Sequence, residues 1–189
     1  HFDEILNKIY FTSNKESVFE NRFYSIDFDG NNLKLLTGEQ GFHSVKVLPE
    51  KNMFIDSFSN LKEPSKHSLK NMNGELIKVL SETDKSQFNV YDWSYPEILQ
   101  FESEDKSVKL DGIITYPPDF NKNKRYPLIV YGYGMPGTQI VYNRWGSLWN
   151  QYLAQQGYIV FSMDARGMSG RGEKFKNLSY GNMSKYLSI

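Results

Sequence analysis

Two stretches of this chain echo each other 44 residues apart, and that echo limits the fold more than any other feature. Ile9-Tyr10-Phe11 answers to Met53-Phe54-Ile55, and Asp29-Gly30 to Asn73-Gly74. Phe23–Asp27 and Leu33–Leu36 flank the first glycine; His67–Lys70 and Leu76–Leu80 flank the second. Asp-Gly or Asn-Gly between alternating runs signals a hairpin, with positive φ expected at both turn positions. Short strands repeating at about 40–50 residues, roughly four per repeat, fit the blades of a β-propeller. Two blades cannot close a ring, because propellers need about four to eight. A plain two-sheet antiparallel domain is the simpler alternative, but three landmarks holding one offset favour blades.

The second half has a different rhythm. Residues 81–96 are polar, without a period, and end at Pro96, so they read as a linker. Strands are expected over Ile98–Glu102 and Leu110–Tyr116, joined by the charged turn Glu104-Asp105-Lys106. Leu128-Ile129-Val130-Tyr131 runs without polar alternation, as a strand buried on both faces does. It stops at Gly132, Gly134, Pro136 and Gly137, a turn able to take unusual dihedrals. A helix is expected over Asn143–Gln156, with Trp145, Leu148, Trp149, Tyr152 and Leu153 as one stripe packed on the sheet. Gly157 then stops it, and Tyr158–Met163 reads as a second buried strand. Strand, glycine turn, helix, strand is a parallel α/β unit, and ligand chemistry gathers at the carboxyl ends of such strands. A further short helix is expected from Glu173 to Asn177.

Charge and composition exclude more than they assign. Lys plus Arg and Asp plus Glu each number 22, which gives no electrostatic reason to propose nucleic acid or an anionic membrane surface. There is no cysteine, so disulfides, thiolate catalysis and Cys-ligated zinc are excluded. No apolar run approaches ~18 residues, so no membrane-spanning segment is expected in this chain. The chain opens at His1 in a strand-like pattern and breaks off after Ser188-Ile189, which reads as an excerpt of a longer protein.

Two motifs are near matches. Gly132-x-Gly134-x-x-Gly137 fits the dinucleotide fingerprint, and Asp164 ends the next strand. The helical period, however, begins several residues after Gly137, and Asp164 lies 27 residues on where about 20 is usual. Gly167-Met168-Ser169-Gly170-Arg171 approaches the nucleophile elbow GxSxG, but Arg171 is too bulky for the last position. No histidine follows Ser169, since His1, His43 and His67 all precede it, so Ser169 reads as a turn residue.

Taken together, the residues from Asp111 to Tyr186 resemble the start of the catalytic domain of the prolyl oligopeptidase family of serine peptidases. The resemblance is to the dipeptidyl peptidase IV-like group, bacterial members above all. It rests on Tyr126-Pro127, Tyr133-Gly134-x-Pro136-Gly137-Thr138-Gln139, Trp149 with Tyr152-Leu153-Ala154, and Gly157-Tyr158. It continues through Asp164-x-Arg166-Gly167, Gly170-Arg171-Gly172 and Phe175. The resemblance implies β-propeller blades (all-β) with a linker over residues 1–96, then the N-terminal part of an α/β-hydrolase domain over 97–189. Tyr133 takes the position of the oxyanion-hole tyrosine and is the one catalytic residue carried over. Asp164, Arg166 and Gly167 shape a turn, with Arg166 in an ion pair. Met135 departs from the glycine common there.

The same resemblance implies a peptidase releasing dipeptides with Pro or Ala second from peptide amino termini. It also implies no cofactor, a peptide substrate, a possible homodimer and a periplasmic or extracytoplasmic location. The nucleophilic Ser, Asp and His are expected outside this chain, which is therefore expected to be inactive alone. Two alternatives remain open: a non-catalytic propeller-based binding module and a dinucleotide-binding enzyme.

Overall fold

The structure, a computed structural model, describes residues 1–88 and 90–181. They form two compact units, one of His1–Lys85 with Asn143–Trp145, the other of residues 86–142 and from 146 onward.

The first unit holds two antiparallel four-stranded sheets, and neither is closed. One runs β1 (Phe2–Asp3), β2 (Lys8–Ser13), β3 (Arg22–Asp27) and β4 (Lys34–Leu35). The other runs β5 (Phe42–Leu48), β6 (Met53–Ser59), β7 (Lys66–Asn71) and β8 (Leu76–Glu82). Sequential strands pair throughout, so each repeat is one meander, the layout of a propeller blade. Tyr10, Phe23, Leu36, Phe54 and Met72 are buried in a common core, with the Phe23 and Phe54 rings 4.9 Å apart. β6 shows the period of two clearly, burying Phe54, Asp56 and Phe58 in alternation.

The hairpin turns differ from expectation in type. Gly30 and Gly74 have φ of 85° and 90°, whereas Asp29 and Asn73 keep ordinary negative φ. The amides of Gly30 and Gly74 donate back to Asp27 and Asn71, whose own amides donate forward to Asn31 and Glu75. Each loop therefore has three residues ending in a left-handed glycine, and positive φ is needed only once.

The second unit holds one open sheet and two short helices. Its strands are β9 (Glu97–Glu102), β10 (Lys109–Thr115), β11 (Leu128–Tyr131) and β12 (Ile159–Met163), in the order β11-β12-β10-β9. β9, β10 and β12 pair antiparallel, and β11 runs parallel to β12. Helix α1 (Leu148–Gln155) lies between β11 and β12 in sequence, and α2 (Gly172–Lys176) follows β12.

Four expectations are corrected here. Leu128–Tyr131 is not buried on both faces: β11 is an edge strand with one neighbour, and Leu128, Val130 and Tyr131 are exposed. The helix does not start at Asn143. The Asn143 amide donates to Phe19, its side chain bonds Leu61 and Glu20, and the Trp145 amide donates to Ser59 Oγ. With those groups held in the first unit, the helix waits for Ser147, whose Oγ accepts from the Trp149 amide as an N-cap. The apolar stripe is not packed on the sheet either. Leu148, Trp149 and Tyr152 are more than half exposed, while Gln151 and Ala154 are buried. Finally, the described residues are mostly β, and no α/β-hydrolase fold is formed among them. One parallel pair and an eight-residue helix cannot cover both faces of a parallel sheet.

Candidate functional site

The carboxyl ends of β11 and β12 carry most of the residues singled out in the sequence. The strands are in register from Leu128↔Ile159 to Tyr131↔Ser162, and both then enter glycine-bearing loops. Tyr133 stands two residues beyond β11 and is 62% exposed, so it is not a buried turn aromatic. Among the described residues no hydrogen bond engages its hydroxyl. Gly134, just after it, has φ of 64°, a value that glycine takes without Cβ strain.

Met135-Pro136-Gly137-Thr138 then forms a turn. The Thr138 amide and hydroxyl both donate to the Met135 carbonyl, at 3.3 and 2.6 Å. Proline followed by a glycine with φ of 84° is the signature of a type II turn. Beyond it the loop is tied to residues after β12. The Ser169 amide donates to the Thr138 carbonyl at 2.7 Å. The Ile140 amide donates to Asp164 Oδ1 at 2.6 Å, and the Val141 amide lies 3.3 Å from the same oxygen.

Asp164 is completely buried. Arg171 reaches it through Nη2 at 3.0 Å and reaches Asp111 of β10 through Nε at 2.7 Å. Asp111 also accepts from Gln100 Nε2 at 2.9 Å, and its carbonyl accepts from the Asp164 amide. Burial pushes the Asp164 carboxyl above its ordinary value, while the bonds from Ile140, Arg171 and Val141 pull against it. Arg166 makes a bidentate pair with Asp105, at 2.7 and 3.0 Å, and that guanidinium holds the Asp105 carboxyl well below the usual carboxylate range. Arg166 thus takes the ion pair expected of it. Ser169 takes the turn position expected of it.

The glycine fingerprint does not open a helix, since α1 begins at Leu148. A pyrophosphate at Gly132–Gly137 finds no helix N-terminus to bind. What the loop can do chemically is present one exposed phenol at the end of a strand, on a backbone tied at both sides.

The chain is similar to several known proteins. The model of the dipeptidyl peptidase IV N-terminal region matches residues 1–65. Over 187 residues, 92% of the chain, it is 29% identical to dipeptidyl peptidase 8 of Homo sapiens. A probable dipeptidyl-aminopeptidase B of Arthroderma benhamiae is 26% identical over 96% of the chain. The chain is similar to dipeptidyl peptidases over nearly all of its length. It spans about a fifth of the length of these curated relatives, 20% and 21%. In fold, the chain is similar to the crystal structure of Porphyromonas gingivalis dipeptidyl peptidase 4. That likeness has a TM-score of 0.85 and 24% identity, over 93% of this chain and 25% of the other.

Two polar clusters escaped the sequence reading. Arg171 appears there as a residue too large for an elbow and as part of the resembling run, with no partner assigned, yet it joins two buried aspartates. The density of charge in Asp164-x-Arg166…Arg171 was the available signal. The second cluster lies inside the β5–β8 sheet. Asp56 accepts from Lys70 Nζ at 2.9 Å and pairs with His43 Nδ1 at 2.8 Å, while His43 Nε2 faces the Glu39 carbonyl at 2.9 Å. All three side chains are buried. The alternation Phe54-x-Asp56-x-Phe58 places Asp56 on the inward face, which was legible as a buried charge needing partners.

Proposed function

We propose that this chain is part of a serine dipeptidyl peptidase that releases dipeptides with Pro or Ala second from peptide amino termini. Residues 1–96 are its last propeller blades and linker in this reading, and residues 97–189 open an α/β-hydrolase domain whose fold the described residues do not themselves form. The observation that carries it is similarity across 92–96% of the chain to proteins named dipeptidyl peptidase or dipeptidyl-aminopeptidase. The antiparallel β9–β10 pair leading into the parallel β11–β12 pair is consistent with the opening of a hydrolase sheet.

The chemistry is acyl transfer. A serine outside this chain attacks the scissile carbonyl, a histidine takes its proton, and negative charge develops on the carbonyl oxygen. The Tyr133 hydroxyl donates to that oxygen, and a preorganised donor of this kind is worth on the order of 3–4 kcal/mol of barrier. Its exposure at the end of β11, free of an intramolecular acceptor among the described residues, supports the role.

The test is hydrolysis of a Gly-Pro chromogenic substrate by the longer protein, with labelling by a serine-directed fluorophosphonate. Tyr133→Phe should lower kcat on the order of 100-fold. Absence of both labelling and hydrolysis would count against the peptidase and favour a propeller-based binding module. The 189-residue chain by itself should not be labelled.

A further inference from the structure

We propose that Asp164, held by Arg171, is a positioning residue that fixes where the Tyr133 hydroxyl stands. This rests on the peptidase reading and goes further, because it names what preorganises the oxyanion donor. Tyr133 makes no side-chain hydrogen bond among the described residues, so the backbone on either side must set its place. On one side, Tyr131 is in register with Ser162 of β12. On the other, the Met135–Thr138 turn is followed by bonds to Asp164 and Ser169. Both anchors thus refer the loop to one strand and the turn after it.

Asp164 is the strongest of these ties. Two consecutive amides, Ile140 and Val141, point at one buried carboxylate, and bonds to a charged acceptor are roughly twice as strong as neutral ones. The carboxylate is itself oriented from behind. Arg171 bridges it to Asp111, Gln100 holds the other oxygen of Asp111, and the Asp164 amide bonds the Asp111 carbonyl. Gly170 borders the clamp: its φ is 92°, and a Cβ there would lie 2.2 Å from Gln139 Oε1, pushing aside the side chain that donates to the Val141 carbonyl. A 1 Å misplacement of a catalytic donor can cost roughly 100-fold in rate, so a loose loop would be expensive.

The experiment compares Asp164→Asn, Tyr133→Phe and the double variant in the longer protein, with kcat and KM for a Gly-Pro substrate. Asp164→Asn should lower kcat roughly tenfold or more with KM within about twofold. In the Tyr133→Phe background it should cost little further, because the residue acts through Tyr133. An unchanged kcat for Asp164→Asn, or losses that multiply in full, overturns the positioning role while leaving the peptidase standing. No hydrolysis by the unsubstituted protein sinks the peptidase reading itself, and an unchanged kcat for Tyr133→Phe removes the oxyanion role; in either case the positioning role goes with it. Should Asp164→Asn fail to fold, Asp111→Asn loosens Arg171 while keeping the amide bonds to Asp164. Its loss in kcat should likewise vanish in the Tyr133→Phe background, and a loss that multiplies there overturns the proposal.

Discussion

Gly30 and Gly74 close the same turn 44 residues apart, each amide donating 2.9 Å to the carbonyl three residues back. Their surroundings differ. A Cβ on Gly30 would meet open space, whereas one on Gly74 would lie 2.5 Å from the Leu36 carbonyl oxygen. Gly30→Ala should therefore cost only the left-handed strain, about 1 kcal/mol. Gly74→Ala adds a clash with backbone that cannot swing away, for roughly 2–4 kcal/mol in all. Urea midpoints of the two variants check this, and equal losses would contradict it.

Phe54 is fully buried and touches Phe23 in the core that both sheets of the first unit share. Phe54→Ala should destabilise by about 3–5 kcal/mol, the usual cost of losing a buried aromatic and leaving a cavity. Chemical denaturation monitored by circular dichroism would show it as a shift of midpoint.

Acid should weaken the first unit through Asp56. Burial pushes this carboxyl up, but the bonds from His43 and Lys70 outweigh burial and hold it below its ordinary value. In the unfolded chain the group titrates near ~3.9, so its stabilisation is complete above that pH. It is lost as pH falls through the lower folded value. Carboxyl-carbon NMR should find Asp56 titrating below the free-aspartate value, and a titration above it would refute the assignment.

The Arg166–Asp105 pair should matter less than its geometry suggests. Both partners reach solvent, with side chains 17% and 53% exposed, so water and salt screen them. Arg166→Ala should shift the melting temperature slightly, and less in high salt than in low. A large loss that ignores salt would mean Arg166 supports the fold through packing.

Much of the β architecture was legible because period-two alternation and turn glycines are local signals. The repeat at 44 residues and the strands β9, β10 and β12 to within a residue of their ends follow from them, whereas the ion-paired Arg166 was implied by the family resemblance. Burial was not legible to the same degree. Leu128–Tyr131 and the Leu148-Trp149-Tyr152 stripe are apolar enough for a core, yet in this chain each faces solvent, because composition records what a surface can bury against and not whether the partner is present.

Sequence alone determined the period of the strands, the glycines at which the two hairpins turn left-handed, and the placement of an exposed-capable phenol just past a strand. Those depend on neighbours within a few residues, through sterics and hydrogen bonding that any chain with these side chains must obey. Tertiary structure alone decided that the helix begins at Leu148, since residues 143–145 give their hydrogen bonds to partners some 80 to 120 positions away in the chain. It also decided that Arg171 joins Asp164 to Asp111 and that His43, Asp56 and Lys70 meet inside one sheet. Pairings of buried charges are fixed by which strands become neighbours, and a desolvated charge is tolerated only where that neighbour supplies its opposite.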